Sequence, residues 1–330
     1  MSTAIAPPVV RETGRLRRLG AAAGQKYALI VVFAAIVGLF SVLNPAVFAT
    51  GANAQTIAST QATVALLALA AMLPLVVGQF DISVGYQFGL AQGLCAYLII
   101  NEGVPAVVAI LVTLAAGLLI GLVNGVLVAK VKLNSFVATL GVGILVLGLT
   151  QWLTQDVTIT GALPALFTDL GRNAVLGIPL PFVYVLAATA VLWVALEYTP
   201  WGRECDATGG NERAALLAGV RTERRTVQVF VFAALLAALS GGLSVMILGA
   251  SSPTVGLGSL LPAFAGAFLG ATSIRPGRFN AIGTLIAVYL VATGITGLQQ
   301  EGAQPFVQQL FNGAALLIAV TLARLSRKTA

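Results

Sequence analysis

The sequence predicts an all-α fold, a polytopic bundle of transmembrane helices, from three observations. Of its 330 residues 58% are hydrophobic and 9% are charged, whereas about 25% of the residues in an average soluble domain are charged. Long apolar runs recur along almost the whole chain, and a helix satisfies its backbone amides in lipid within its own segment. The net charge of +7 lies mainly between those runs, which indicates membrane topology. We therefore expect contact with membrane lipid and no nucleic-acid partner.

The apolar runs divide into about ten spans. They are predicted at residues 27–43, 53–77, 85–100, 104–129, 135–154, 181–196, 226–248, 258–272, 280–298 and 305–323. The eighth gives only about 22 Å of helix against a bilayer core of about 30 Å, so it needs local thinning or is partly re-entrant. With both termini cytoplasmic, Arg172 alone among the 18 basic residues lies outside, the bias that membrane insertion produces.

The domain organisation follows from these spans. Residues 1–26 form a basic cytoplasmic tail, and residues 27–330 form a single transmembrane domain. Within it, residues 155–180 are an external loop with a short surface helix expected around 163–170. Residues 199–225 are the long charged interval on the cytoplasmic side. No segment outside the membrane is long enough for a second folded domain.

A short helix is predicted inside the 199–225 interval. Gly209 and Gly210 break the chain, Asn211 is a good N-cap, Glu212 suits the positive helix end, and Gly219 fits a left-handed C-terminal position. About two turns cannot cross a bilayer and are marginal in water without a packing surface.

The apolar side of this short helix needs something to pack on. Its apolar residues are Ala214, Ala215, Leu216, Leu217 and Ala218. They could rest on the protein's own body, as in an ordinary connector between spans, or on a partner.

Several reaction classes are excluded by composition. The chain has no histidine, which removes Ser–His and Cys–His catalysis, His-ligated metals and histidine proton relays. None of its lysines follows a glycine, so it has no phosphate-binding loop of the G-x-x-x-x-G-K type. We expect no catalytic residue, no metal site and no cofactor on this chain, and any ATP must bind another chain.

Asp81 is the one acidic residue expected within the thickness of the membrane. Placing a carboxylate at the centre of the bilayer raises the free energy of insertion by roughly 2.5–3.5 kcal/mol. Pro74 and Gly78 precede Asp81 and Ser83 and Gly85 follow, so the segment resembles the broken helices of transport sites. Asp81 could line such a site. It could equally sit in a cytoplasmic turn and cap the third span through nearby backbone amides.

Neutral hydrogen-bonding side chains also fall in or near the spans. These are Gln79, Gln87, Gln92, Asn124 and Gln151. They could line a wet passage for a hydroxylated solute or satisfy neighbouring helices. Asn124 lies within a ridge of glycines four residues apart, Gly117, Gly121 and Gly125, which indicates close helix packing.

At these residues the chain resembles a known family. Residues 77–85, VGQFDISVG, resemble the G-[IF]-D-[LI]-S-V-G signature of ribose-type sugar ABC permeases. Further blocks similar to that family lie at residues 121–130, 136–140, 208–220, 269–273 and 283–285, so the resemblance covers nearly the whole chain. Arg213 stands where the family often has alanine, and residues 274–278 replace a more glycine-rich turn. Ribose itself therefore does not follow as the substrate.

The resemblance implies the permease subunit of an ATP-binding-cassette (ABC) importer, a homodimer in the cytoplasmic (inner) membrane of a prokaryote. A solute-binding protein would deliver a small hydroxylated solute, expected to be a monosaccharide, from outside. Two ATPase copies carrying ATP and Mg²⁺ would dock inside. The chain itself is then not an enzyme.

Two sets of candidate residues follow. The ATPase-coupling residues implied by the resemblance are Gly209, Gly210, Asn211, Glu212, Ala215 and Gly219. The candidate pathway residues, from the broken helix and the neutral polar side chains, are Gln79, Asp81, Ser83, Gly85, Gln92 and Asn124.

Other functions remain open at this point. In an ion-coupled secondary transporter Asp81 would be the ion site, but the charged 199–225 interval would have no role. A permease of the same family could carry branched-chain amino acids or nucleosides. An intramembrane enzyme lacks support, because there is no histidine and no pair of intramembrane aspartates.

Overall fold

The computed structural model describes residues 13–329, with side chains described for 27–318, 320 and 321. Residues 1–12 of the predicted basic tail and Ala330 lie outside the described residues. The helices are α1 (Thr13–Leu43), α2 (Gly51–Thr60), α3 (Ala62–Val76), α4 (Ser83–Ala96), α5 (Ala106–Ala129), α6 (Ser135–Thr154), α7 (Ala165–Arg172), α8 (Leu180–Tyr198), α9 (Pro200–Gly210), α10 (Glu212–Leu217), α11 (Thr222–Leu248), α12 (Val255–Gly270), α13 (Ala281–Gln300) and α14 (Phe306–Thr329). A π-helical turn, Tyr97–Asn101, extends α4. The prediction of a helical membrane fold is confirmed.

Six helices of the described chain are long and apolar enough to cross a membrane, and α2 with α3 would make a seventh. The six are α4 with its π-helical turn, α5, α6, α8, α11 and α13. The axes of α2 and α3 differ by 41°, with the bend at Gln61. Shorter apolar helices, Tyr27–Leu43, Val255–Gly270 and Phe306–Ile318, correspond to the other three predicted spans.

The core is built around α3. Nearly all of its side chains are buried, including Leu67, Leu69, Met72 and Leu73 at 0% exposure. Helices α11, α12, α13 and α8 pack against it. A helix that is apolar on every side is stable either in lipid or inside a protein, and α3 lies inside the bundle with other helices packed around it.

Glycines let α5 and α11 approach each other closely. A Cβ atom at Gly117 would lie 2.7 Å from Ala238 Cβ, and one at Gly121 would lie 2.6 Å from Ala234 Cβ. At Gly125 the limiting atom is the Cα of Val227, at 2.9 Å. The predicted glycine ridge is therefore a helix-packing surface.

The ends of the helices meet at what we call the basic end of the bundle. It comprises the 77–82 turn, the α5–α6 turn, the 199–225 segment and the α12–α13 turn. Lys132 forms ion pairs with Glu212 and Glu223, and Arg278 pairs with Asp206. These contacts bring three separate basic intervals of the sequence to one end.

The opposite end contains the 155–180 segment. The short helix predicted around 163–170 is present as α7, at Ala165–Arg172. The described chain also contains four two-residue strands, which the all-α prediction did not include. β1 (Ile159–Thr160) pairs with β4 (Ala250–Ser251), and β2 (Ala174–Val175) pairs with β3 (Ile178–Pro179).

Candidate functional site

The short helix α10 is defined by hydrogen bonds at both ends. The Oδ1 atom of Asn211 accepts from the backbone N–H of Ala214 at 3.0 Å. At the other end Gly219 has φ +86°, its N–H donates to Leu216 O, and the N–H of Val220 donates to Ala215 O, both at 3.0 Å. This pair of bonds around a left-handed glycine is a Schellman motif. The predicted cap and stop are thus both present.

All residues of α10 except Ala215 are exposed. Leu217 is 90% exposed and Leu216 is 59% exposed, whereas Ala215 is 4% exposed. Ala215 was predicted to face a partner, but it packs within its own chain. The two leucines, which the sequence analysis named among the apolar residues of this helix but not among the coupling residues, provide the large exposed apolar side chains of α10.

The helix α9 precedes α10 directly and was not predicted. Gly209 and Gly210 were interpreted as a break in the chain, but they are the last two residues of α9. A Cβ atom at Gly209 would overlap the carbonyl oxygen of Val76, at the end of α3, whereas nothing lies within 4 Å of a Cβ at Gly210. Glycine at position 209 therefore permits backbone-to-backbone contact between α9 and α3.

Polar contacts fasten α9 to α11. The Nε atom of Arg225 donates to Glu204 Oε2 at 2.6 Å, and its Nη1 atom donates to Gln228 Oε1 at 2.8 Å. The Nε1 atom of Trp201 also donates to Gln228 Oε1. The hydrogen bond from Arg225 lowers the pKa of Glu204 below its ordinary value, so this carboxylate is charged at neutral pH.

A second set of ion pairs ties this region to the α12–α13 turn. Arg278 pairs with Asp206 at 3.2 Å, and Arg275 pairs with Glu197 at the end of α8. Burial raises the pKa of Asp206, and the positive charges of Arg278 and Arg275 oppose that shift. The 199–225 segment is consequently attached to α3, α11 and the α12–α13 turn.

Asp81 lies one residue before Ile82, the N-cap residue of α4, and its side chain bonds to the first residue of the helix. Its Oδ1 atom accepts from the backbone N–H of Ser83 at 2.9 Å and from the Ser83 hydroxyl. The Ser83 Oγ atom accepts in turn from Gln87 Nε2 and Asn124 Nδ2, each at 2.7 Å. Asp81, Ser83 and Asn124 are 0% exposed and Gln87 is 2% exposed. We call these four residues the Asp81 cluster. Its geometry matches the capping interpretation of Asp81.

The other predicted pathway residues lie elsewhere. Gln79 lines a cavity of about 370 Å³ at the basic end, beside Lys132 and Glu212. A Cβ atom at Gly85 would lie 2.9 Å from Gly256 O, so Gly85 is a crossing point of α4 and α12. Gln92 donates to Ser244 Oγ and accepts from the backbone of Ser252, as expected for a residue that satisfies neighbouring elements. The structure brings Asp81, Ser83 and Asn124 together and places Gln79, Gly85 and Gln92 apart from them.

Known proteins resemble the chain over most of its length. The family model described as branched-chain amino acid transport system / permease component matches residues 53–320. The ribose import permease protein RbsC of Bacillus subtilis (strain 168) is 36% identical over 94% of this chain and 94% of its own length. The ribose import permease protein RbsC of Escherichia coli (strain K12) is 31% identical over 88% of this chain and 91% of its own length. The autoinducer 2 import system permease protein LsrD of Escherichia coli (strain K12 / DH10B) is 33% identical over 88% of this chain and 87% of its own length. No solved structure matches the chain.

Proposed function

Because the chain belongs to the branched-chain amino acid transport system / permease component family, we propose that it forms the transmembrane part of an ABC importer. Its partners would be a separate ATPase, which binds ATP and Mg²⁺, and a solute-binding protein outside. A second copy of the chain would complete a homodimer in the inner membrane of a prokaryote.

The observation that carries this proposal is the form of α10. A helix of six residues, Glu212–Leu217, is fixed at both ends and presents Leu216 and Leu217 outward. Two adjacent leucines exposed at the basic end suit an apolar groove of another protein. Together with the contact of Gly209 on Val76, α10 would transmit movement of the ATPase to α3.

Ten crossings with both termini cytoplasmic remain our proposed topology. The 17-to-1 distribution of basic residues supports it, and so do the ion pairs that join three basic intervals at one end of the described structure. Arg172, the one exception, lies at the opposite end, where its Nε atom donates to Ile247 O.

The proposed solute is small and hydroxylated, with a monosaccharide as the first candidate. The relatives named for ribose import support it, since each covers most of this chain. The family description instead names branched-chain amino acids, so these, and nucleosides, remain the second candidates.

Ion coupling through Asp81 is the competing mechanism. The Oδ1 atom of Asp81 accepts from the amide and hydroxyl of Ser83, which supports a role in holding the 77–82 turn against α4. Its buried Oδ2 atom has no hydrogen-bond partner within the described residues. We propose that Asp81 shapes this turn and does not bind a coupling ion.

Transport by the reconstituted importer tests the function. The chain, its ATPase and its binding protein are placed in proteoliposomes with ATP on the ATPase side. We expect uptake of a labelled monosaccharide to require ATP and to survive an uncoupler. Uptake that collapses with the ion gradient at constant ATP would support the secondary-transporter alternative instead.

Cysteine labelling tests the topology. In a background without Cys95 and Cys205, Glu301→Cys should react with an impermeant thiol reagent added outside. Arg278→Cys should react only after the membrane is opened. The reverse pattern would overturn the assignment of the last three spans.

A further inference from the structure

A small polar cavity of about 170 Å³ lies between α3, α12, α13 and α14. It has room for about five or six water molecules at roughly 30 Å³ each. Its polar lining consists of Gln61, Ser259, Thr296, Gln299, Gln308 and Asn312. The remaining wall is apolar and includes Pro262 and Ile295. Such a combination of convergent polar groups on an apolar wall is typical of small-molecule sites.

The cavity lies away from the basic end. Ser259 is in the second turn of α12, Gln299 is in the last turn of α13, and Gln308 is in the first turn of α14. Gln61 is at the bend between α2 and α3. Since α13 and α14 are joined at the end opposite the 199–225 segment, the cavity belongs to the half of the bundle that the proposed topology puts outside.

The lining selects for one chemical class. Its described residues contain four amides and two hydroxyls but no charged side chain. Amides and hydroxyls both donate and accept, so they pair well with the hydroxyl groups of a solute. The carboxylate and ammonium groups of an amino acid would find no opposite charge there, and burying an unpaired charge is unfavourable. An uncharged polyol fits the lining better than an amino acid does.

One lining atom lacks a partner within the described chain. Asn312 is 6% exposed, and its Oδ1 atom accepts no hydrogen bond. A buried acceptor without a donor is unfavourable, and nearly all such atoms in proteins are satisfied. A hydroxyl group entering the cavity would supply the missing donor.

We propose that this cavity is a binding subsite for an uncharged, polyhydroxylated solute entering the transmembrane domain, an inference that rests on the proposed import function. The Oδ1 atom of Asn312 accepts a hydrogen bond from a hydroxyl group of the solute. The neighbouring amides and hydroxyls form hydrogen bonds with the remaining hydroxyl groups. The Asp81 cluster does not line this cavity and has no part in the subsite.

Filling the cavity tests its use. Gly258 lines it, and nothing lies within 4 Å of a Cβ atom built there. Gly258→Leu therefore adds a side chain at a position that lines the cavity, and its Cβ atom meets no neighbouring atom within 4 Å. Gly141 in α6 has the same free space but lies outside the cavity, so Gly141→Leu is the matched control. We expect Gly258→Leu to lower uptake by about tenfold or more, as blocked binding requires, and Gly141→Leu to leave it within about twofold.

Removing the unpartnered acceptor tests the chemistry. Asn312→Leu keeps the approximate size and eliminates the unsatisfied oxygen, so the variant should fold at least as well as the wild type. We expect it to raise the KM for a transported monosaccharide by about tenfold, since a solute hydroxyl loses its partner. Thr150→Val is the control, because the Thr150 hydroxyl is buried but donates only within its own helix, to Val146 O. It should leave KM unchanged.

The probes are labelled ribose, arabinose, xylose, galactose and fructose, each delivered to the reconstituted importer. If the wild type imports one sugar, and Gly258→Leu and Asn312→Leu import it with the same KM and rate, that result overturns the proposed subsite but not the proposed import function. Failure of the wild type to import any sugar, together with import of leucine or a nucleoside, overturns the proposed solute class and the subsite with it.

Discussion

Gly209, the penultimate residue of α9, lies with its Cα against the backbone carbonyl of Val76, the last residue of α3. Gly78, two residues after Val76, faces Gly209 from the other side of the turn, with a Cβ position 3.5 Å from Gly209 O. The backbones of α9, the end of α3 and the α3–α4 turn are therefore in direct contact. Under the proposed function, this contact would link the 199–225 segment to the core helix.

The first prediction concerns this contact. In Gly209→Ala the added methyl group would overlap the carbonyl oxygen of Val76. Helix α9 would have to shift, and overpacking of this kind lowers the stability by about 1–3 kcal/mol. We expect a lower Tm of the purified chain and strongly reduced uptake. Gly210→Ala is the matched control, because a Cβ there meets nothing within 4 Å. Equal behaviour of the two variants would contradict the proposed link.

The second prediction separates docking from folding on α10. Leu217→Glu changes a side chain that is 90% exposed, so Tm should be unchanged while recovery of the ATPase with the chain falls sharply. Ala215→Glu, in contrast, buries a charge within the chain and should destabilise it by about 3–5 kcal/mol. Co-purification and thermal unfolding are measured on both. Normal ATPase recovery with Leu217→Glu would mean that α10 is only a connector.

The third prediction concerns Gly219. At φ +86° a β-branched residue costs about 1–2 kcal/mol or more, so Gly219→Val should release the C-terminal end of α10. We expect weaker ATPase recovery and loss of uptake with the spans still inserted. Gly219→Asn should restore much of the activity, because asparagine tolerates the left-handed conformation. If asparagine and valine were equally harmful, the backbone explanation would fail.

The fourth prediction concerns Asp81. Asp81→Asn keeps an oxygen that can accept from the Ser83 amide while it removes the charge. We expect a partial loss of uptake that does not depend on proton or sodium gradients. Asp81→Leu, which also removes the acceptor, should lower both Tm and uptake further because the Ser83 amide loses its bond. Uptake of the wild type that varies with the gradient at constant ATP would count against this role.

The fifth prediction concerns pH. The pKa of Glu204 is lowered by its hydrogen bond from Arg225, so the folded chain binds this proton less readily than the unfolded chain. The resulting stabilisation is present above the ordinary glutamate pKa of about 4.3 and is lost as pH falls through the lowered value. We expect the Tm difference between wild type and Glu204→Gln to be constant near neutral pH and to shrink in acid. A difference that grows in acid would refute the assignment.

Sequence alone determined the class of fold, because composition and the apolar runs leave helical membrane crossing as the stable arrangement. It also determined both ends of α10, since Asn211 and Gly219 act through bonds to residues within five positions. The short helix of the 155–180 segment was also predicted and is present as α7. Local signals of this kind need no knowledge of the remaining chain.

The tertiary structure decided what each candidate residue touches. The sequence suggested that Gly209 breaks the chain and that Gly85 lines a pathway. In the structure the backbone of Val76 lies against Gly209 and the backbone of Gly256 lies against Gly85, so a side chain does not fit at either position. Ala215 faces inward and Leu217 outward because α9 and α11 set the rotation of α10. The polar cavity around Asn312 joins residues more than 200 positions apart, from Gln61 to Asn312. Contacts of that separation are fixed only when the helices pack, so no local pattern could reveal them.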